Sequence, residues 1–114
     1  MSFRLVLGVW LALSAPAGSA LADIEAGMRA YANGDYATAL RELTPVAENG
    51  NALAQFTIGF MYTNGRGVPQ DDEEAFRWYL MAAEQQHADA QFQVGLAYAT
   101  GSGASRNEPE AARW

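Results

Sequence analysis

The chain has 114 residues, half of them hydrophobic, with seven basic residues against thirteen acidic ones and a formal net charge of −6. That charge repels phosphate backbones and anionic headgroups, so it argues against a nucleic-acid partner and against electrostatic docking on membranes. There is no cysteine, which removes disulfides, thiolate nucleophiles and cysteine-based metal sites together.

The first element is a processing segment. Met1 to Arg4 carry a short positive region, Leu5 to Leu13 form an apolar run, and small residues follow up to Ala20-Leu21-Ala22. This is the order of a secretory signal peptide, so residues 1–22 are expected to be cleaved off before Asp23. The apolar run is well short of the roughly 20 residues of a spanning helix, and no membrane insertion is expected after cleavage. The expected location is periplasmic or secreted. An exported, cysteine-free domain must be held together by packing alone.

A short unit opens the remainder. Ile24 to Ala32 reads as a helix, Asn33-Gly34-Asp35 as a tight turn, and Tyr36 to Glu48 as a second helix. Pro45 lies inside that second helix, where it is expected to remove a hydrogen bond and bend the axis.

The rest of the chain repeats itself. Ala54-Gln55-Phe56, Gly59, Tyr62, Gly65 and Gly67 recur as Ala90-Gln91-Phe92, Gly95, Tyr98, Gly101 and Gly103, each displaced by 36 residues. The same step carries Asp71 to Asn107, Ala75 to Ala111 and Trp78 to Trp114. Self-similarity at such a period is the mark of a stacked repeat. Each copy reads as two helices. Ala54, Ile58, Met61 and Tyr62 keep 3.6-residue spacing in the first, and Ala75, Phe76, Tyr79, Leu80 and Ala83 form the buried stripe of the second. Gly65 stands where a left-handed helix end is wanted. Asp71 with Glu74, and Asn107 with Glu110, are expected to form capping boxes. Gly59 and Gly95, unfavourable within helices, point to close helix approach. Gly27 matches Gly59 if the first unit's turn is four residues shorter.

These residues resemble a known family. Gly59, Tyr62, Gly65, Gly67, Val68, Asp71, Ala75, Trp78, Tyr79, Ala82 and Ala83 fall on the pattern of the Sel-like repeat, a relative of the tetratricopeptide repeat with a longer loop between its helices. The first unit, with its Asn-Gly-Asp turn, is closer to an ordinary tetratricopeptide unit. Ala104 and Ser105 depart from the Val-Pro of the preceding loop. The resemblance implies an all-α solenoid of stacked helix pairs whose concave face holds a partner protein. The expected organisation is a signal peptide at 1–22, a tetratricopeptide-like helix pair at 23–50, a full Sel-like repeat at 51–86 and an incomplete one at 87–114. Trp114 stands in the first turn of its helix, so the sequence is expected to be cut from a longer array, because solenoids need about three repeats and a polar cap.

Residues that could carry chemistry are few. His87 is the only histidine, aligns with Asn51 between helix pairs, and reads as a turn residue. Ser102 and Ser105 have no base placed near them, so no nucleophilic triad can be assembled. Asp71-Asp72-Glu73-Glu74 opens a helix, where acidic groups complement the dipole and cap free N–H groups. No strand precedes Gly65-x-Gly67 and no lysine follows it, so it is a turn and not a phosphate cradle. No catalytic, cofactor or metal residue is expected. Trp78, Tyr79, Phe56 and Phe92 recur at helical spacing and are expected in inter-helix packing, not in a glycan platform.

A second stripe carries the candidate partner-binding residues. Leu53, Thr57, Phe60 and Asn64 follow one another along the first helix of the full repeat, and Asp89, Gln93, Leu96 and Thr100 take the same places in the next. A first-helix stripe turned away from its partner helix lines the groove of a solenoid. Phe60 and Leu96 are apolar at matching positions, either as a contact patch or as additional core. The expected function is a non-enzymatic, exported adaptor that binds a protein partner in the bacterial envelope. The alternative is a polysaccharide- or peptidoglycan-associated factor. A hydrolase of wall components or β-lactams lacks both nucleophile and base.

Overall fold

The computed structural model describes residues 24–114; the expected signal peptide lies outside the described residues. Within them the chain is helical, with no strand. Helix α1 covers residues 24–32, followed by α2 (Tyr36–Glu48), α3 (Ala52–Asn64), α4 (Asp72–Glu84), α5 (Ala88–Thr100) and α6 (Glu108–Arg113). Each of α2 to α5 packs on the next helix in chain order. Short connections make such neighbours antiparallel, and the result is a row of helix pairs.

Two adjoining cores hold the row together. The first gathers Ala39, Leu43, Ala47, Ala54, Ile58 and Met61, with Ile24, Met28 and Tyr31 packed on it from α1. The second gathers Ala75, Tyr79, Ala82, Ala83, Ala90 and Val94. Tyr62 touches both cores, so neither repeat closes without its neighbour. The packing stripes read from periodicity are therefore the buried ones, except that Tyr62, Phe76 and Leu80 lie half-buried at the edges of theirs.

Glycine sets how closely the paired helices approach. A Cβ on Gly27 would stand 2.6 Å from the Leu43 side chain, and one on Gly59 would stand 2.7 Å from the Tyr79 ring. At Gly95 the nearest atom would be Ala111 O at 3.4 Å. The close approach is thus tight in two pairs and looser in the third.

The capping boxes are only half formed. Asp71 Oδ1 accepts from the N–H groups of Glu73 and Glu74, both at 3.1 Å. The Asp71 N–H, however, donates to Tyr62 O at 3.0 Å, and Glu74 pairs with Arg77 at 2.9 Å. Asn107 repeats this, with its N–H on Tyr98 O at 2.8 Å and Glu110 paired with Arg113 at 3.4 Å. The loop folds back so that one helix's orphan N–H meets the preceding helix's orphan carbonyl, which leaves the glutamate nothing to cap. Pro45 does not end α2: the helix runs through it to Glu48, with the proline exposed.

Candidate binding face

The eight stripe residues do not share one fate. Leu53 is 44% exposed, and Asn64, Asp89 and Thr100 are exposed as well. Thr57 is only 5% exposed, so it is corrected from groove to interior. Its hydroxyl donates to Leu53 O at 2.8 Å and lies 3.6 Å from Met28 Sδ, because the packing of α1 on α3 covers this part of the stripe. Phe60 is half-buried and Leu96 is 46% exposed, so the two matching apolar positions differ in environment.

Gln93, Leu96 and Thr100 line an open cleft of about 270 Å³ between α4 and α5. Its other walls are Thr63 from the end of α3, Asp72, Phe76 and Tyr79 from α4, and Ser102 from the loop after α5. Leu53, Thr57, Phe60 and Asn64 are not part of it. Periodicity along a single helix could not find the α4 wall, because Phe76 and Tyr79 belong to a packing stripe whose edge opens on the cleft. Tyr79 Oη lies 2.9 Å from Thr63 Oγ1, and the latter also reaches Gly59 O at 3.1 Å. Burial pushes the Tyr79 hydroxyl above its usual value of 10.0, against the opposing Thr63 hydrogen bond and with smaller upward contributions from Tyr31 and Asp72.

Phe60 belongs to a different cluster. The guanidinium of Arg66, on the loop after α3, lies 5.7 Å from the Phe60 ring, 5.7 Å from Tyr36 and 6.0 Å from Tyr31. It also donates to Tyr31 Oη at 2.9 Å. An arginine over three rings is attracted by their negative faces. The reading along single helices missed this cluster, because a one-helix stripe does not cross from loop to helix.

His87 is more than a turn residue. Its Nδ1 accepts from Ala90 N–H at 3.2 Å as the N-cap of α5, and its ring stacks on Phe56 with centroids 4.9 Å apart. Phe56 thus sits in an inter-repeat contact, as expected. Phe92, its counterpart, is 65% exposed among the described residues. No group of three or more His, Asp or Glu gathers among the described residues to hold a metal ion. No described helix is long and apolar enough to cross a membrane.

Comparison with known proteins agrees with this geometry. A family model described as "Sel1 repeat" matches residues 52–87 and 88–114. A curated relative, named as an exopolysaccharide production negative regulator of Rhizobium leguminosarum bv. viciae, is 40% identical over 53 residues. That match takes in 46% of this chain and 20% of the relative. Among solved structures, a Sel1 repeat protein from Oxalobacter formigenes aligns with TM-score 0.73 and 42% identity, over 77% of this chain and 36% of that one. A protective antigen present in uropathogenic Escherichia coli strains, displaying an SLR fold, aligns with TM-score 0.79 and 34% identity, over 92% of this chain and 23% of that one. The match thus takes in less than a quarter of the curated relative and of the second structure, and about a third of the first. With family model, solved folds and helix-pair geometry in agreement, the chain belongs to the Sel1 repeat family.

Proposed function

We propose that this Sel1 repeat array is a non-enzymatic adaptor that works in the bacterial envelope and holds a protein partner against the face built by α3, α4 and α5. The observation that carries the reading is the open cleft between α4 and α5, with Leu96, 46% exposed, in its wall. An apolar side chain left in a concave surface is a contact point for another protein. The similarity to a protein named as a negative regulator supports a regulatory use of that contact. A protein partner is favoured over glycan because glycan platforms need rows of exposed aromatics, and Phe92 is the one aromatic among the exposed large apolar side chains of the described residues. The amino-terminal sequence supports export, since its order of charge, apolar run and small residues is that of a signal peptide.

Two measurements test this. The full chain, expressed with a carboxy-terminal tag, should be recovered from the periplasm with Asp23 as its first residue; an intact Met1 in the cytoplasm would remove the envelope from the reading. In-cell cross-linking should join the tagged chain to a specific protein, and Leu96→Asp should abolish that product while the melting temperature stays close to wild type. An unchanged product, or no product at any stage of growth, would end the adaptor reading.

A further inference from the structure

The first and second helix-pair junctions have the same architecture but different side chains. Thirty-six residues before Asp72, Phe76, Tyr79, Leu96 and Ser102 stand Tyr36, Leu40, Leu43, Phe60 and Arg66. Thr63 corresponds to Tyr31 at the offset that pairs Gly59 with Gly27. The residues around Arg66 are therefore the first junction's version of the cleft.

The two versions differ in occupancy. At the first junction Tyr31, Tyr36 and Phe60 surround the Arg66 guanidinium, which is anchored by its 2.9 Å bond to Tyr31 Oη. At the second, Thr63, Asp72 and Leu96 replace the three rings and Ser102 replaces the arginine. What is lost is bulk and the internal cation. What is gained is a carboxylate, in the wall of a cleft of about 270 Å³. The volume falls below the roughly 300–1,000 Å³ of small-molecule pockets and suits a single long side chain. Asp72 accepts from Gln70 Nε2, which leaves it further acceptor sites, since a carboxylate offers about four. Phe76, Tyr79 and Leu96 supply apolar walls for methylene groups.

Building on the protein-binding reading, we propose that this cleft receives an arginine side chain of the partner, its guanidinium paired with Asp72 in the position that Arg66 fills at the first junction. The complementarity is of charge as well as shape: a chain of net charge −6 attracts a basic segment, and this cleft has no cation of its own. Arginine is preferred over lysine because a planar guanidinium both stacks and forms paired hydrogen bonds to a carboxylate.

The probe is N-acetyl-arginine amide, titrated into the isotope-labelled full chain, with amide NMR shifts read residue by residue. The citrulline amide, equal in shape and uncharged, is the control. Shifts should gather on Gln93, Leu96, Thr100 and Ser102 and be at least about tenfold weaker for citrulline, the size expected of one charge-assisted pair. Asp72→Asn should weaken binding to a similar degree. Ser102→Arg, which places the first junction's plug in the second, should abolish it while the helical circular dichroism is kept. Equal response to citrulline, shifts outside the cleft, or an undiminished response in Ser102→Arg would overturn the proposal. A cross-linked protein partner still captured by Ser102→Arg would refute the arginine site and leave the adaptor standing. Arginine binding without any captured partner would have the opposite meaning.

Discussion

Gln85 and Gln55 join the end of one helix to the start of another: Gln85 Nε2 donates to Gln55 Oε1 at 2.9 Å. Gln55 in turn donates from its Nε2 to Ala47 O at 3.1 Å, and it is only 3% exposed. One buried amide thus connects the last turn of α2, the first turn of α3 and the end of α4. The next repeat keeps the backbone half of this arrangement, with Gln91 Nε2 donating to Ala83 O at 3.3 Å.

Replacing Gln55 by Leu removes both bonds while preserving most of the volume. The expected loss is about 1–2 kcal/mol, the net worth of one or two intramolecular hydrogen bonds. Gln91→Leu should cost less, because its side chain makes one such bond and is only half-buried. Urea denaturation midpoints compare the two, and a larger loss at Gln91 would contradict this account.

Gly59→Ala and Gly95→Ala should act in opposite directions. Alanine is the better helix former by about 1 kcal/mol. At Gly59 the new methyl would lie 2.7 Å from the Tyr79 ring, an overpacking expected to cost about 1–3 kcal/mol net. At Gly95 its nearest neighbour is Ala111 O at 3.4 Å, so the helix preference dominates and stability should hold or rise slightly. Thermal melts of the two variants decide this, and equal losses would show that helix approach does not govern either position.

Gln86 has φ of +70°, the one positive φ outside glycine among the described residues, and it stands where the preceding repeat has Gly50 at +103°. A side chain in that region costs about 1–2 kcal/mol, partly offset in glycine by its greater freedom when unfolded. Gln86→Gly should therefore stabilise by about 0.5–1 kcal/mol, whereas Gln86→Ala should not. A lower melting temperature for the glycine variant would show that the turn is held by something other than backbone preference.

Tyr79 gives the protein an alkaline limit. Its folded pKa is raised above 10.0, chiefly by burial, so the neutral form is the one that folding favours. That contribution is complete below pH 10.0 and is lost as pH rises through the folded value. Tyr79→Phe should cost about 1 kcal/mol at neutral pH through the lost Thr63 contact and should flatten the fall in stability at alkaline pH. A wild-type pH slope in the variant would assign the alkaline loss to another group.

The helices, their pairing and their turns were legible in the sequence because each depends on neighbours close along the chain. The 36-residue step, the 3.6-residue stripes of Ile58 and Tyr79, and the asparagine and aspartate caps are local signals, and the family resemblance rests on the same residues. Packing between elements decided the remainder. Thr57 and Phe60 lie on one face with Leu53, yet α1 covers the threonine and Arg66 engages the phenylalanine, and no period along α3 encodes either neighbour. Phe56 meets the ring of His87, a contact between repeats that no period along α3 encodes. The cleft itself is a difference between two equivalent junctions, produced where Tyr31, Tyr36, Phe60 and Arg66 give way to Thr63, Asp72, Leu96 and Ser102. Each of those residues is visible in the sequence; that they face one volume follows only from how helix and loop are brought together, since burial is a property of the neighbours a side chain meets and not of its own place along the chain.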